Sequence, residues 1–303
     1  MYHYFDIVEK IPIDKGWSAD KKYRAITASG ESCLLRIAPA ERSGQFRMQH
    51  LHMQEAAQLG IPMSMPLEDG TCAEGPYLIQ SWIDGRDAEI VLPELSEKEQ
   101  YAYGLEAGRI LRKLHSIPAP AEVKPWGEYF NRKIDRKLKA YAECELKYDH
   151  GEELVDFIQS HRHLLSPRPQ TFQHGDYHCG NMMIDTQGKL VIIDFDKWDY
   201  GVPWEEFNRI VWCAQASPAF ASGRIDGYFE GDVPEEFWQL LALYISNNCI
   251  GSLPWAIPYG DKEILVMRRQ AAEILRWYDH FNTLIPCWYQ PGAGRNSDEI
   301  RTF

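Results

Sequence analysis

The sequence predicts an α+β fold in two lobes, a small β-rich one followed by a larger helical one. Three observations lead there. The chain has 303 residues, more than one typical domain and enough for two lobes around a cleft. Its first third reads as strands with one helical stretch, whereas beyond Gly85 apolar residues recur at helical spacing. A polar segment from His174 to Asp196 is interrupted by short apolar runs and reads as loop, strand, turn, strand. The division falls between residues 83 and 84, giving lobes 1–83 and 84–303.

In chain order, Tyr4 to Ile13 alternates loosely, and Lys22 to Thr27 and Ser32 to Ile37 form strands joined by a hairpin turn at Ala28-Ser29-Gly30-Glu31. Lys15-Gly16-Trp17-Ser18 lies between the first two strands. A short Gly/Ser loop there offers backbone N–H groups to a phosphate, and it reads equally well as a plain turn. Arg36 sits among apolar residues in Leu34-Leu35-Arg36-Ile37, so its charge must leave the core or meet a partner there. Glu41 to Leu59 turns helical, carries Glu55, and ends at Gly60-Ile61-Pro62. Met65 to Leu67 and Tyr77 to Gln80 are two more strands, and Ser81-Trp82-Ile83-Asp84-Gly85 is a strand ending in a turn.

The rest is mainly helical. Leu105, Gly108, Leu111 and Leu114 make one apolar stripe that closes at His115 to Pro118. Ile134 to Lys147, Glu152 to Leu165, Phe237 to Asn247 and Lys262 to Leu284 read as further helices. Asp226, Glu230, Asp232, Glu235 and Glu236 follow one another with no basic residue beside them, which suits either ammonium binding or a solvated loop.

Within His174-Gly175-Asp176-Tyr177-His178-Cys179-Gly180-Asn181, Asp176 and Asn181 fall on a loop. Asp185 to Gly188 is a turn, and Leu190 to Ile193 is a buried strand that ends at Asp194. An ionised carboxylate after four apolar residues is costly unless paired or bound to a cation. One carboxylate and one amide oxygen suit Mg²⁺, which keeps few protein ligands and leans on waters and substrate phosphates. Asp176 remains to accept the proton of an attacking hydroxyl. Acid, amide and acid in this order match the parts used for phosphoryl transfer. Zinc held by His174, His178 and Cys179 and a purely structural polar turn stay open as alternatives, and Asp196 reads as a second metal ligand or a surface carboxylate.

His-Gly-Asp-x-His-x-x-Asn followed by Ile-Asp-Phe-Asp resembles the aminoglycoside phosphotransferase family. The resemblance implies a bilobal protein-kinase-like fold in which ATP and Mg²⁺ serve the phosphorylation of a small-molecule hydroxyl. It implies that Asp176 is the catalytic base, that Asn181 and Asp194 hold Mg²⁺, and that His174 is more structural than chemical. Ser18 falls in the phosphate loop, although only one Gly is present there. Arg36 takes the place of the strand Lys that holds nucleotide phosphates, and Glu55 is its helix partner. Ser81 and Ile83 supply backbone contacts to adenine, and His115 stands near the catalytic loop or caps its helix. Val202 replaces an Asp usual in the family, while Glu206 keeps a later acid. Phe303 ends the chain as Phe ends some aminoglycoside kinases. The acceptor implied is an aminoglycoside or similar aminated sugar. The alternatives are choline, a fructosamine, homoserine or a macrolide, and a nucleotide-binding protein without turnover. A protein kinase fits less well, since no Ala-Pro-Glu follows Asp194.

Composition narrows the partners. A formal charge of −12 argues against nucleic acid, whose phosphates need a basic surface. It suits a cationic substrate, and also an ordinary acidic cytosolic protein. Seven Cys with no C-x-x-C read as reduced thiols of the cytoplasm. Met1 to Lys10 lacks the apolar core of a signal peptide, and no apolar run reads as a membrane span.

Overall fold

The structure is a computed structural model, and it describes residues 3–14 and 20–292. In chain order the elements are β1 (Ile7–Pro12), β2 (Lys21–Thr27), β3 (Ser32–Ile37), α1 (Ser43–Gln58), β4 (Pro66–Cys72), β5 (Gly75–Ser81), β6 (Gly85–Asp87), α2 (Ala88–Val91), α3 (Glu97–Leu114), α4 (Trp126–Glu143) and α5 (Gly151–His161). There follow β7 (Thr171–Gln173), β8 (Met182–Asp185), β9 (Leu190–Ile192), β10 (Asp199–Gly201), α6 (Ile210–Ala216), α7 (Pro218–Phe229), α8 (Glu235–Ala256) and α9 (Asp261–Trp277). They fall into two compact units, one made of Met1–Ala88 with Gly180–Trp198, the other of Glu89–Cys179 with Asp199–Phe303. The sequence places a single cut at 83/84; the structure assigns the β8–β9 hairpin to the N-terminal unit as well. Hydrogen bonding explains this: β6 pairs with β8, and Ile192 receives Ser64 N–H and donates its own N–H to Pro62.

In the first unit an antiparallel sheet runs in the order β1-β2-β3-β5-β4. On β3 the two-residue period sends Cys33, Leu35 and Ile37 into a core with Ala25, Tyr77 and Ile79, and sends Leu34 and Arg36 to the opposite face. Strand β4 reaches Cys72, well past the expected Leu67. Its Glu68-Asp69-Gly70 has low strand propensity and is tolerated because β4 is an edge strand. The β8–β9 turn forms as expected: the Asp185 carboxylate accepts from Gln187 N–H and Lys189 N–H (2.8 Å each), and Gly188 takes φ +77°.

In the second unit α3 begins with a capping box between Ser96 and Glu99 and packs along α7. Gly104 and Gly108 face Gly223 and Gly227, and a Cβ on any of these four would strike the backbone of the opposite helix. Helix α4 starts at Trp126, eight residues before the expected Ile134. Helix α8 runs on to Ala256 with Pro254 inside it. Among the described residues Glu235–Tyr259 is long and apolar enough to span a membrane, contrary to expectation, but its most apolar 18-residue window is 67% buried, and α8 packs against α4, α5 and α9. The acidic run does not act as one patch. Asp226 is buried and accepts from Tyr101 OH (2.5 Å), Tyr289 OH (2.6 Å) and Gly292 N–H (3.0 Å), while Glu230 pairs with Arg112 and Glu236 with Arg168.

The α3–α7 contact has no room for side chains. Gly227→Val should therefore cost about 2–3 kcal/mol through overpacking, seen as a lower urea midpoint with an unchanged slope.

Candidate functional site

In the first unit the hairpin brings two of the expected residues together. Asn181 directly precedes β8 and Asp194 lies just past β9, with Ile193 N–H donating to Asn181 O (3.0 Å). Both line a cavity of about 250 Å³, together with Lys22 of β2, Arg36 of β3, and Ser81 and Ile83 beyond β5. Asp194 adopts a left-handed backbone (φ 64°), a conformation Asp tolerates better than most residues.

Arg36 is buried and held by three carboxylates on two separate segments. Its Nη2 lies 2.6 Å from Asp20 Oδ2 and 3.3 Å from Asp196 Oδ1, and its Nη1 lies 3.2 Å from Asp194 Oδ1. Arg42 joins the same network through Asp20 and Asp196, and both guanidinium groups lie against the Phe46 ring. Burial opposes the charge on Arg36, but Asp194, Asp196 and Asp20 outweigh it and raise its pKa. Burial likewise opposes ionisation of Asp196, and Arg36 and Arg42 overcome it and hold its carboxyl below the usual range. So Asp196 is a buried network member, not a surface carboxylate. Lys22 sits opposite Arg36 in the strand register, with its Nζ 3.9 Å from Asp194 Oδ2. Two like charges across a strand pair repel unless carboxylates separate them. Here Asp194 does so, which leaves two cations on one wall of the cavity.

The expected pairing of Glu55 with Arg36 is corrected. Helix α1 buries Phe46, Gln49, His50, His52, Met53 and Ala56, and Glu55 lies off that stripe, half-exposed, 3.8 Å from His52. Asp20, Asp194 and Asp196 take the place foreseen for it. Ser18 and Phe303 lie outside the described residues. Ser81 lines the cavity, but its N–H donates to Met65 O and its carbonyl accepts from Ser64 Oγ (2.8 Å each), so one carbonyl lone pair remains for a ligand. The backbone N–H and C=O of Ile83 have no partner among the described residues.

Asp176 belongs to the second unit, on a loop pinned along its length. The buried Glu206 carboxylate accepts from His174 N–H (3.0 Å), from Gly175 N–H (2.5 Å) and from His115 Nε2 (3.0 Å). Because a carboxylate only accepts, Nε2 of His115 carries the hydrogen. Burial opposes ionisation of Glu206, yet His115, His174 and the Gly175 N–H hold its carboxyl below the usual range. Arg224, fully buried between the rings of Tyr177 and Phe207, donates to Tyr177 O (2.8 Å) and Glu206 O (3.3 Å). Tyr177 OH donates to Ala107 O, and Cys179 N–H to Cys213 Sγ. Among the described residues His174, His178 and Cys179 do not bring their ligand atoms together as the zinc alternative needs. The Asp176 carboxylate is 3.2 Å from Arg209 Nε and 3.6 Å from His178 Nε2. Burial alone would raise its pKa, but His178 and Arg209 drive it far below the usual carboxylate range. Such an acid is ionised and a weak base, suited to holding a hydroxyl and taking its proton late. Sequence reasoning missed Asp20, Lys22, Arg42, Arg209 and Arg224; only Lys22, on an alternating strand, left a local signal.

A profile of the phosphotransferase enzyme family matches residues 10–238. Among solved structures, a thermostable mutant of the aminoglycoside phosphotransferase APH(4)-Ia, in complex with ADP and hygromycin B, superposes with a TM-score of 0.66 at 16% identity, over 90% of this chain and 95% of that one. A choline/ethanolamine kinase family protein from Mesorhizobium loti gives 0.63 at 17% identity, over 91% and 90%. An amicoumacin kinase in complex with AMP-PNP, Ca²⁺ and Ami gives 0.61 at 15%, over 92% and 90%. At these identities the likeness establishes a shared kinase-like fold.

The Glu206 carboxyl has a folded pKa below its unfolded value of about 4.3. Its contribution to stability is therefore complete above that value and lost as pH falls through the folded pKa. The urea midpoint should hold from pH 7 to about 5 and drop below about 4. Glu206→Ala should remove about 3–5 kcal/mol at pH 7, since it strips the carboxylate from His115 and two loop N–H groups.

Proposed function

The chain belongs to the phosphotransferase enzyme family and is a small-molecule kinase with an alcohol as acceptor; from that premise we propose that it moves the γ-phosphoryl group of ATP to a hydroxyl with Asp176, Asn181 and Asp194 in the principal roles. The observation that carries this reading is the cavity wall on which Asn181, Asp194, Lys22 and Arg36 meet. Asn181 and Asp194 present hard oxygen donors, few in number, as Mg²⁺ prefers. They would hold that ion, which when bound neutralises charge on the phosphate oxygens. Lys22 and Arg36 add positive charge beside the same phosphates, with Arg36 kept in place by Asp20. The free backbone groups of Ile83, and the remaining lone pair on the Ser81 carbonyl, suit an adenine edge. Complexes of solved relatives with ADP and AMP-PNP support a nucleotide there. Ser18 stays a proposed phosphate contact, while Glu55 is left with no part in holding Arg36.

Asp176 orients the acceptor hydroxyl and receives its proton. Its depressed pKa makes it a poor base toward a resting alcohol, so the proton moves as the bond to phosphorus forms and the hydroxyl becomes acidic. This fits a loose transition state in which positioning and charge account for most of the rate. The pinned loop supplies the positioning. The acceptor foreseen from the family is an aminoglycoside-like sugar, as in the hygromycin B and gentamicin complexes. A metabolite such as choline, a fructosamine or homoserine, or a macrolide, is the second reading, and the choline/ethanolamine kinase relative supports that class. With seven free thiols, we place the enzyme in the cytoplasm.

Asp176→Ala should lower turnover by about 10²–10⁴-fold while nucleotide affinity stays within about twofold, measured by phosphate transfer and by calorimetry. Near-normal turnover would overturn the role of Asp176.

A further inference from the structure

We propose that His150, Glu153 and His280 form a zinc site in the helical unit, with water completing the coordination. None of the three has a part in the phosphotransfer chemistry, so the site is independent of the kinase reading.

The donors come from two places in the chain. His150 and Glu153 open α5, and His280 follows the end of α9. Glu153 and His280 are 127 residues apart in sequence, yet His280 Nδ1 lies 2.7 Å from Glu153 Oε2. On the other side of the carboxylate, His150 Nδ1 lies 3.2 Å from Glu153 Oε1. One donor atom from each residue falls within 4.8 Å of the other two, and among the described residues no other set of three His, Cys, Asp or Glu converges in this way. Donors bonded at about 2.0–2.1 Å to one tetrahedral ion stand roughly 3.3 Å apart, so small side-chain rotations close the set.

The backbone around both histidines is arranged for this meeting. His150 is the N-cap residue of α5 with a left-handed backbone (φ 57°), and its side chain makes no capping bond. Ser, Thr, Asp or Asn would cap the helix there; the imidazole turns to Glu153 instead. His280 lies between Asp279 and Phe281, and all three residues have positive φ (47°, 54° and 64°). This tight turn is fixed by His280 N–H donating to Leu275 O (2.8 Å) and Thr283 N–H to Tyr278 O (3.2 Å). Phe281 then stacks on Phe157 of α5 at 4.3 Å, with His161 beyond Phe157 and Tyr278 beyond Phe281 in nearly parallel planes. The ring stack sets the turn against the start of α5 and aims His280 at the carboxylate. A surface ion pair alone needs one histidine and contributes little; here a second one converges from the other side.

The donor set selects the ion. Two imidazoles and one carboxylate suit Zn²⁺ and its late first-row neighbours, whereas Mg²⁺ and Ca²⁺ take oxygen donors. Three protein donors leave a position for water. Zinc binding displaces the ring protons that hydrogen-bond to Glu153, and the bound ion ties α5 to the segment after α9.

The test titrates the full-length protein, freed of metal by EDTA and exchanged into clean buffer, with Zn²⁺ in a calorimeter without nucleotide. The expected result is about one Zn²⁺ per chain and a melting temperature that rises with Zn²⁺ concentration. Loss of a ligand's supporting partner costs about 10–100-fold in affinity, so His150→Ala and His280→Ala, which remove ligands, should each cost about 100-fold or more. Asp194→Ala should keep the wild-type zinc affinity, which separates this site from the Mg²⁺ seat. Far-UV spectra in EDTA that match the wild type show that the variants fold. Co²⁺ in the wild-type protein gives a second readout that needs no variant: intense visible bands of a four- or five-coordinate ion are expected. Failure of the wild type to bind Zn²⁺, wild-type affinity kept in either histidine variant, loss of zinc binding in a folded Asp194→Ala, or a weak six-coordinate Co²⁺ spectrum each overturns the inference, and all four leave the kinase reading standing.

Discussion

The ion pair between Arg36 and Asp20, 2.6 Å apart and closed off from solvent, is the constraint on which the N-terminal unit depends. A guanidinium in the middle of a sheet face is affordable only with fixed counter-charges. Asp20 fixes one edge of it, Asp194 another, and Arg42 completes the set through Asp196. With Lys22 there are three cations and three carboxylates, so the network is formally neutral before any ligand arrives. Networks of this kind add little net stability but are expensive to break. Their effect is to specify position: Asp194 and Arg36 cannot move independently, and both face the cavity.

The same device recurs in the helical unit with different parts. Glu206 and Arg224, both buried, grip the loop around Asp176 by backbone atoms from opposite chemical sides, one accepting from N–H groups and the other donating to carbonyls. That leaves the Asp176 side chain as the loop's adjustable charge, tuned by Arg209 and His178. The close α3–α7 contact seats Arg224, which α7 carries, and Ala107, which α3 carries, beneath the loop.

Much of this was legible in the sequence where chemistry and local order coincide. The His174–Asn181 loop, the turn at Asp185–Gly188 and the strand ending at Asp194 are all short-range features, and they fold as read. Arg36 announced itself because a charge among apolar strand residues has to be explained. Its partners did not, since Asp20 and Arg42 are separated from Asp194 and Asp196 by more than 150 residues and no periodicity encodes such pairings. Glu55 was misread because family analogy assigned a partner that the burial stripe of α1 turns away. The run from Asp226 to Glu236 looked like one acidic surface, yet Asp226 is an interior anchor for Tyr101 and Tyr289. Net charge misled in the same way: in a chain of formal charge −12, Asp176 has a guanidinium beside it, with Arg209 Nε 3.2 Å from its carboxylate.

The account stands or falls on whether the oxygen atoms of Asn181 and Asp194, beside Lys22 and Arg36, form the seat of a magnesium-bound nucleotide. Calorimetric titration of AMP-PNP into the wild-type protein and Asp194→Ala, each with and without Mg²⁺, measures this directly. The account predicts that Mg²⁺ tightens binding to the wild type by about tenfold or more, roughly 1.4 kcal/mol, and that Asp194→Ala loses this gain. Equal enhancement by Mg²⁺ in both proteins would contradict it.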